Sequence, residues 1–297
     1  MDTKTRVLFS LLSFIFIIIF GGCSKDSDEN EKSSEGFVLI EGLWYRLDEN
    51  TQTAGVTHPD PGNPFEKDYS GNIVIPQTVY YGGNKYNVTS IDGMAFSNSY
   101  NLISVTVPNS VDKINQYAFW YCINLTSVTI SDGVRWLDDE VFEECTSLKS
   151  IVIPNGVTSL GYRLCFGCTN LSSVMIPNSV TSIGKEAFMK CTSLTSVVIP
   201  DNVTVIDKQA FAFCSGMTSV TIGKKVSEIR WEAFESCTSL TDIYFMAENV
   251  PQIMSHAFED TDVHNIVLHV PAGSIDAYKS SFGGHFKEIV ALPEHED

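Results

Sequence analysis

CTSLTSVVIPDNVTVIDKQAFAFC, residues 191–214, begins and ends on cysteine, and the 23-residue interval between Cys191 and Cys214 decides how the chain is read. The same interval separates Cys122, Cys145, Cys168, Cys191, Cys214 and Cys237, and Ser99 stands one interval before the first of them. A fixed period outranks every other organisational signal in a sequence. Set in register, the first six units each hold 23 residues with no insertion. With the cysteine as position 0, apolar residues recur at positions 3, 6, 8, 12 and 15, and Ala-Phe falls at 19 and 20. In the unit from Cys168 these are Leu171, Val174, Ile176, Val180, Ile183, Ala187 and Phe188.

Positions 6 and 8 alternate as a short strand does, and proline follows because it cannot donate to a strand ladder. Asn-Ser or Asp-Asn then turns the chain, as at Pro177-Asn178-Ser179 and Pro200-Asp201-Asn202. A second extended stretch, residues 180–183, and the Ala-Phe turn close one coil. A single coil cannot bury so much apolar surface, so its inward residues need coils above and below. The expected fold is a β-rich parallel solenoid. The pattern L-x-x-V-x-I-P-x-x-V-x-x-I-x-x-x-A-F-x-x-C resembles the BspA-like leucine-rich repeat family over residues 99–260. The resemblance implies a leucine-rich repeat surface protein that adheres to host matrix or plasma proteins, or to other cells, through its repeat face.

Both ends depart from the pattern. Residues 71–76 read as a strand ending in the same Ile-Pro, and Val88, Ile91, Ala95 and Phe96 complete a coil around an insert. The insert, residues 79–88, reads as a hairpin about Gly82-Gly83, and residues 37–47 read as another with Glu41-Gly42 at its turn. Residues 37–98 are expected to form a β-rich N-terminal cap over the open end of the core. Downstream, Ile266, Leu268 and Val270 alternate as a strand, residues 272–279 read as a short helix and residues 288–292 as a last strand. These make residues 261–297 a short α/β C-terminal cap, and VPAGSIDAY within it resembles the family's VPxGSxxAY ending.

The chain opens MDTKTRVLFSLLSFIFIIIFGGC, in which Lys4 and Arg6 precede an apolar run over residues 7–20. At about 1.5 Å per residue that run spans roughly 21 Å, short of a hydrocarbon core of about 30 Å, so residues 1–22 read as a cleaved signal peptide. Phe20-Gly21-Gly22-Cys23 resembles the lipobox of bacterial lipoproteins, which implies acylation of Cys23 and cleavage before it. Residues 24–36, SKDSDENEKSSEG, read as an acidic flexible tether. Its start also resembles the surface-export signal of lipoproteins in Gram-negative gut anaerobes, which implies an outer-membrane, surface-exposed protein.

Six of the eight cysteines share position 0. Equivalent residues of adjacent coils stand about 4.8 Å apart with parallel side chains, whereas a disulfide brings Cβ atoms to about 3.5–4.5 Å. A column of buried free thiols is expected, each acting as a small hydrophobe. In Cys165-Phe166-Gly167-Cys168, Leu164-Cys165 stands where other units carry Ala-Phe, so Cys165 is expected in the phenylalanine slot.

A formal charge of −17 sets nucleic acid aside as a partner. No phosphate loop, Gly-x-Ser-x-Gly elbow or helical histidine pair is present, so no catalytic residue, cofactor or metal is expected. Asp138, Asp139, Glu140, Glu143 and Glu144 cluster in one unit and read as a solvated coil edge. What remains is a surface. Position 5 is serine in six successive units, and position 7 holds Val152, Met175 and Val198 in the middle of the array and Tyr244 near its end. Other outward positions carry Trp120, Tyr121, Trp136, Phe166, Phe213 and Trp231. Exposed aromatics anchor protein interfaces and sugar rings. These ten residues are the candidate binding surface, for a protein partner or for a glycan captured by an accessory lipoprotein of an outer-membrane uptake system.

Overall fold

The computed structural model describes residues 36–58 and 69–292; the expected signal peptide, Cys23 and the expected tether up to residue 35 lie outside the described residues. The chain winds into a β-solenoid of about nine turns with a 23-residue period. Each coil contributes to three strips that run the length of the stack.

The first strip is built from strands such as Ser196–Ile199, Ser219–Ile222 and Asp242–Phe245, paired parallel so that Val197, Val220 and Ile243 fall in register. Those three side chains are buried, while Val198, the next residue along its strand, faces water, which is the alternation a one-sided sheet demands. The second strip is made of two-residue strands, Ser159–Leu160, Ser182–Ile183, Val205–Ile206 and Glu228–Ile229, each ending on a buried aliphatic.

The third strip is the Ala-Phe turn. Two residues per coil take left-handed backbone angles, as Glu186 (φ 58°) and Lys190 (φ 65°) do, and Gln209 (φ 57°) and Phe213 (φ 60°) after them. Where this pattern meets Gly167 (φ 71°), a Cβ would stand 2.6 Å from the Glu144 carboxylate, so glycine serves both the turn and the close approach. The turn's N–H groups donate to the next coil, Phe188 to the Ala210 carbonyl and Phe211 to the Ala233 carbonyl, each at 2.8 Å.

Behind the turns runs a column of phenylalanine rings. Phe96, Phe119 and Phe142 stack at centroid separations of 5.0 and 5.3 Å, and Phe188, Phe211, Phe234 and Phe258 at 5.3, 5.5 and 5.4 Å. Burying each ring is worth about 1.5–3 kcal/mol, so the column is a main source of cohesion between coils. It is interrupted once, at Cys165, which fills the phenylalanine slot with Leu164 in the alanine slot, both fully buried.

Cys122, Cys145, Cys165, Cys168, Cys191, Cys214 and Cys237 are all buried and free. The position-0 thiols have a specific task. Cys122, Cys145, Cys168, Cys214 and Cys237 each donate to the carbonyl of the phenylalanine in the preceding coil, at 3.0–3.2 Å, and Cys191 donates to the carbonyl of Cys165 at 3.3 Å. In the last coil Thr261 takes over, its hydroxyl donating to the Phe234 carbonyl at 2.7 Å. Cysteine recurs because it fills a small apolar site and still satisfies a buried carbonyl.

At the N-terminal end, Val38–Ile40 and Leu43–Asp48 form a hairpin about Glu41 (φ 50°) and Gly42 (φ 83°), and Thr78–Tyr81 and Asn84–Ile91 form a second about Gly82 and Gly83. A strand the sequence did not announce, Thr53–Thr57, pairs antiparallel with Leu43–Asp48 and parallel with Asn84–Ile91, tying the first hairpin to the coils. At the other end Val267–Val270 adds parallel to Asp242–Phe245, and Glu288–Ala291 adds parallel to it in turn. The helix Ile275–Phe282 connects them, with Tyr278 buried and its hydroxyl donating to the Ala247 carbonyl at 3.0 Å.

Candidate binding surfaces

The ten candidate residues divide among the three strips and do not form one platform. On the first strip Val152, Met175 and Val198 stand in successive coils at 55, 63 and 63 % exposure. Ser150, Ser173 and Ser196 run beside them, all exposed. Tyr244, on the same strip toward the C-terminus, is half-buried and stacks on His269 at 4.3 Å. His269 Nε2 lies 2.8 Å from Asp242 Oδ1, and that hydrogen bond holds the Asp242 carboxyl below its usual range.

On the turn strip Trp120 and Tyr121 come together with two residues sequence reasoning passed over, Tyr100 and Tyr117. Tyr121 meets Tyr100 at 6.2 Å and Trp120 at 5.6 Å, and Trp120 meets Tyr117 edge-on at 6.1 Å. Only Tyr121 of the two candidates is exposed; Trp120 is half-buried. Phe213, on the same strip, is likewise half-buried.

Phe166 is a correction. It was expected to face outward, yet it is buried at 9 % exposure, with the Arg163 guanidinium 4.6 Å and the Lys190 ammonium 5.1 Å from its ring centre. Its position lies in the mouth of the turn, where two long cationic side chains fold over the ring and cover it with their stems.

The acidic cluster is a second correction. Glu140 and Glu143 are not a solvated edge but are 6 and 8 % exposed. Glu140 accepts from Gln116 at 2.8 Å and from the Tyr117 phenol, whose pKa that hydrogen bond pushes up to about 12. Arg163 bridges Glu143 and Glu186. Burial pushes the Glu143 carboxyl up against the pull of Arg163. Burial also acts on Glu186, but the hydrogen bonds from Arg163 and Lys185 outweigh it and leave that carboxyl low. Asp139 accepts the Tyr162 backbone N–H at 2.7 Å. These acids are consumed by structure, and among the described residues no group of three or more His, Cys, Asp or Glu could hold a metal ion.

Trp136, in the second-strip strand Trp136–Leu137, and Trp231, two residues past Glu228–Ile229, are 58 and 54 % exposed. The Lys113 ammonium lies 6.0 Å from the Trp136 ring. Trp231 borders a concavity of about 260 Å³ with Asp207, Glu228, Arg230 and Met254. In it Arg230 pairs with Asp207 at 3.1 Å and with Glu228 at 3.2 Å.

No helix among the described residues is long and apolar enough to cross a membrane. No curated relative matches the chain by sequence. Among solved structures, the leucine-rich repeat protein of T. pallidum is similar at 26 % identity over 67 % of this chain and 87 % of its own, with a TM-score of 0.56. A leucine-rich repeat protein from Bacteroides ovatus ATCC 8483 shares the fold at 23 % identity over 86 % of this chain and 76 % of its own, with a TM-score of 0.50. The BspA type leucine rich repeat region matches in 6 copies, over residues 72–173 and 162–284. With that match spanning most of the chain and the 23-residue coils laid out in register, the protein belongs to the BspA-type leucine-rich repeat family.

Proposed function

We propose that this is a non-catalytic surface protein, anchored by lipid at Cys23 to the outer membrane of a Gram-negative bacterium, that binds host or cell-surface proteins through its solenoid. The observation that carries the reading is the strip Val152, Met175 and Val198, more than half exposed in three consecutive coils. Single exposed apolar residues are ordinary, but a contiguous row on a rigid sheet is the mark of an interaction site. The adjacent serine hydroxyls supply the polar rim such interfaces use. Proteins of this repeat type are bacterial surface proteins, and leucine-rich repeat proteins generally bind proteins, which supports the same reading. The lipobox-like Phe20-Gly21-Gly22-Cys23 supports the anchor.

The test is a panel of matrix and plasma proteins presented to the chain lacking residues 1–22, alongside a Met175→Glu, Val198→Glu double variant. Binding that the double variant loses while its melting temperature holds supports the reading. Binding to nothing in the panel, or binding the double variant keeps, overturns it. For the anchor, labelled palmitate should be incorporated by the wild type and not by Cys23→Ser.

Trp231 favours a second reading, capture of a glycan for an uptake system. An exposed indole beside paired Arg230, Asp207 and Glu228 offers a stacking face and planar hydrogen-bonding groups at its edge. A glycan array that detects binding, abolished by Trp231→Ala and untouched by the Met175→Glu, Val198→Glu pair, would select it.

A further inference from the structure

In each coil up to Phe213 three backbone N–H groups of the turn strip donate toward the C-terminal end, and in the next coil those of Phe234 and Ser236 donate to Ala257 and Glu259, both at 2.8 Å. Those of Glu186, Phe188 and Lys190 donate to the carbonyls of Lys208, Ala210 and Ala212 at 3.0, 2.8 and 2.8 Å. Those of Gln209, Phe211 and Phe213 donate to Trp231, Ala233 and Glu235 at 3.1, 2.8 and 2.7 Å. The equivalent residues of the final coil are His256, Phe258 and Asp260, and among the described residues their N–H groups meet no acceptor. His256 (φ 64°) and Asp260 (φ 54°) keep the left-handed geometry of every earlier turn, so the row is preformed. A cavity of about 450 Å³ lies against it, walled by Met254, Phe258, Val263, Phe282, His285 and Phe286. The C-terminal helix and the segment after it flank this opening without closing it: Phe286, four residues past the helix, meets Phe258 only edge-on, at 5.9 Å. The first strip, by contrast, is extended at this end by Val267–Val270 and Glu288–Ala291.

We propose that this open turn edge is a docking site for a peptide segment of another polypeptide. The segment presents carbonyls on alternate residues to His256, Phe258 and Asp260 and places a small residue followed by an aromatic one over Phe258. The required chemistry is set by the inter-coil contact itself, because the two rows before it are met by such segments, Phe211 by Ala233 and Phe234 and Phe234 by Ala257 and Phe258. Main-chain bonds along the row supply affinity, and the cavity selects the side chain. A second copy of this chain cannot supply the segment from its own N-terminal end. The matching carbonyls there are those of Gly93, Ala95 and Ser97, and Ala95 and Ser97 are 0 and 1 % exposed. The site lies at the end of the stack, apart from Val152, Met175 and Val198, and so stands independently of the function proposed above.

Hydrogen exchange on the full chain, read by mass spectrometry, tests this with a synthetic peptide of residues 184–190, Gly-Lys-Glu-Ala-Phe-Met-Lys, as the probe. Without peptide, residues 254–261 should exchange far faster than the equivalent turns at 184–191 and 207–214. Millimolar peptide should slow exchange over 254–261 by about tenfold, the effect of a ligand at ten times its Kd, and a peptide with phenylalanine replaced by alanine should not. Three results overturn the proposal. One is protection of 254–261 equal to that of the inner turns before any peptide is added, and another is exchange unmoved by the probe. The third is protection that rises with protein concentration alone, which assigns the edge to self-association.

Discussion

The Cys214 thiol donates to the Phe188 carbonyl across 3.2 Å, so each coil is fastened to the one before it by a sulfur that is also part of the core. Replacing Cys214 with alanine removes both the packing and the donor and should cost about 1–3 kcal/mol. Cys214→Ser should lose less than Cys214→Ala, because Thr261 already performs the same task with a hydroxyl at 2.7 Å. Urea midpoints of the two variants check this, and a serine variant no better than alanine would remove the hydrogen bond from the account.

The thiols should be chemically silent in the folded protein. Burial raises Cys191 and Cys214 well above the ordinary thiol range, and pushes Cys237 up to about 12, so the reactive thiolate is scarce at neutral pH. A maleimide should label none of the seven buried cysteines in the native state and all seven after denaturation. Fewer than seven on denaturation would mean that disulfides have formed.

Leu164 and Cys165 stand in the slots that hold Ala187 and Phe188 one coil later, with the large and small residues exchanged. Cys165→Phe alone should overpack against Leu164 and cost about 1–3 kcal/mol, while Leu164→Ala alone should leave a void worth about 2–5 kcal/mol. Together they restore the repeat pattern and complete the ring column between Phe142 and Phe188. The double variant should therefore be more stable than the sum of the single effects by at least about 1 kcal/mol. Simple additivity would show that the two slots do not share space.

Arg163 links Glu143 and Glu186, and its removal should be felt most near neutral pH. A carboxyl held low, as Glu186 is, stabilises the fold above its unfolded value of 4.5 and loses that contribution as pH falls through the folded value. Glu143, raised by burial, behaves oppositely, since its ionisation costs stability that Arg163 limits. Arg163→Leu should lose roughly 1–3 kcal/mol at pH 7, less than a fully buried pair because the arginine is 32 % exposed. The deficit should narrow as pH falls below the ordinary value of 4.5, Glu143 taking up its proton first and Glu186 last. An equal deficit at both pH values would assign the effect to packing on Phe166.

The solenoid was legible because apolar residues repeat with one phase, and Phe188, Phe211 and Phe234 do in space what their spacing announces. The surface was less legible because its partners come from different coils. Tyr117 meets Trp120 three residues on in the same turn, while Tyr100 stands 21 residues before Tyr121 and reaches it only because the chain has wound through almost a full coil between them. Glu140 is buried against Gln116 of the previous coil, a relation that a hydrophobic period does not register. Phe166 was misplaced for the same reason: Arg163 precedes it by three residues, but the second cover, Lys190, arrives from the next coil. Thr53–Thr57 escaped notice because Ala54 and Gly55 dilute its strand character.

The Phe188-to-Ala210 and Cys214-to-Phe188 bonds have a consequence for the molecule's size. These bonds recur at the same positions in successive coils, so excising residues 191–213 would bring Lys190 directly onto Cys214 and set Phe234 against Phe188 as it now stands against Phe211. The stack would shorten by about 4.8 Å and keep both ends. Length in this protein is a copy number, adjustable in whole steps by recombination between identical phases of the repeat, without any need to redesign an interface.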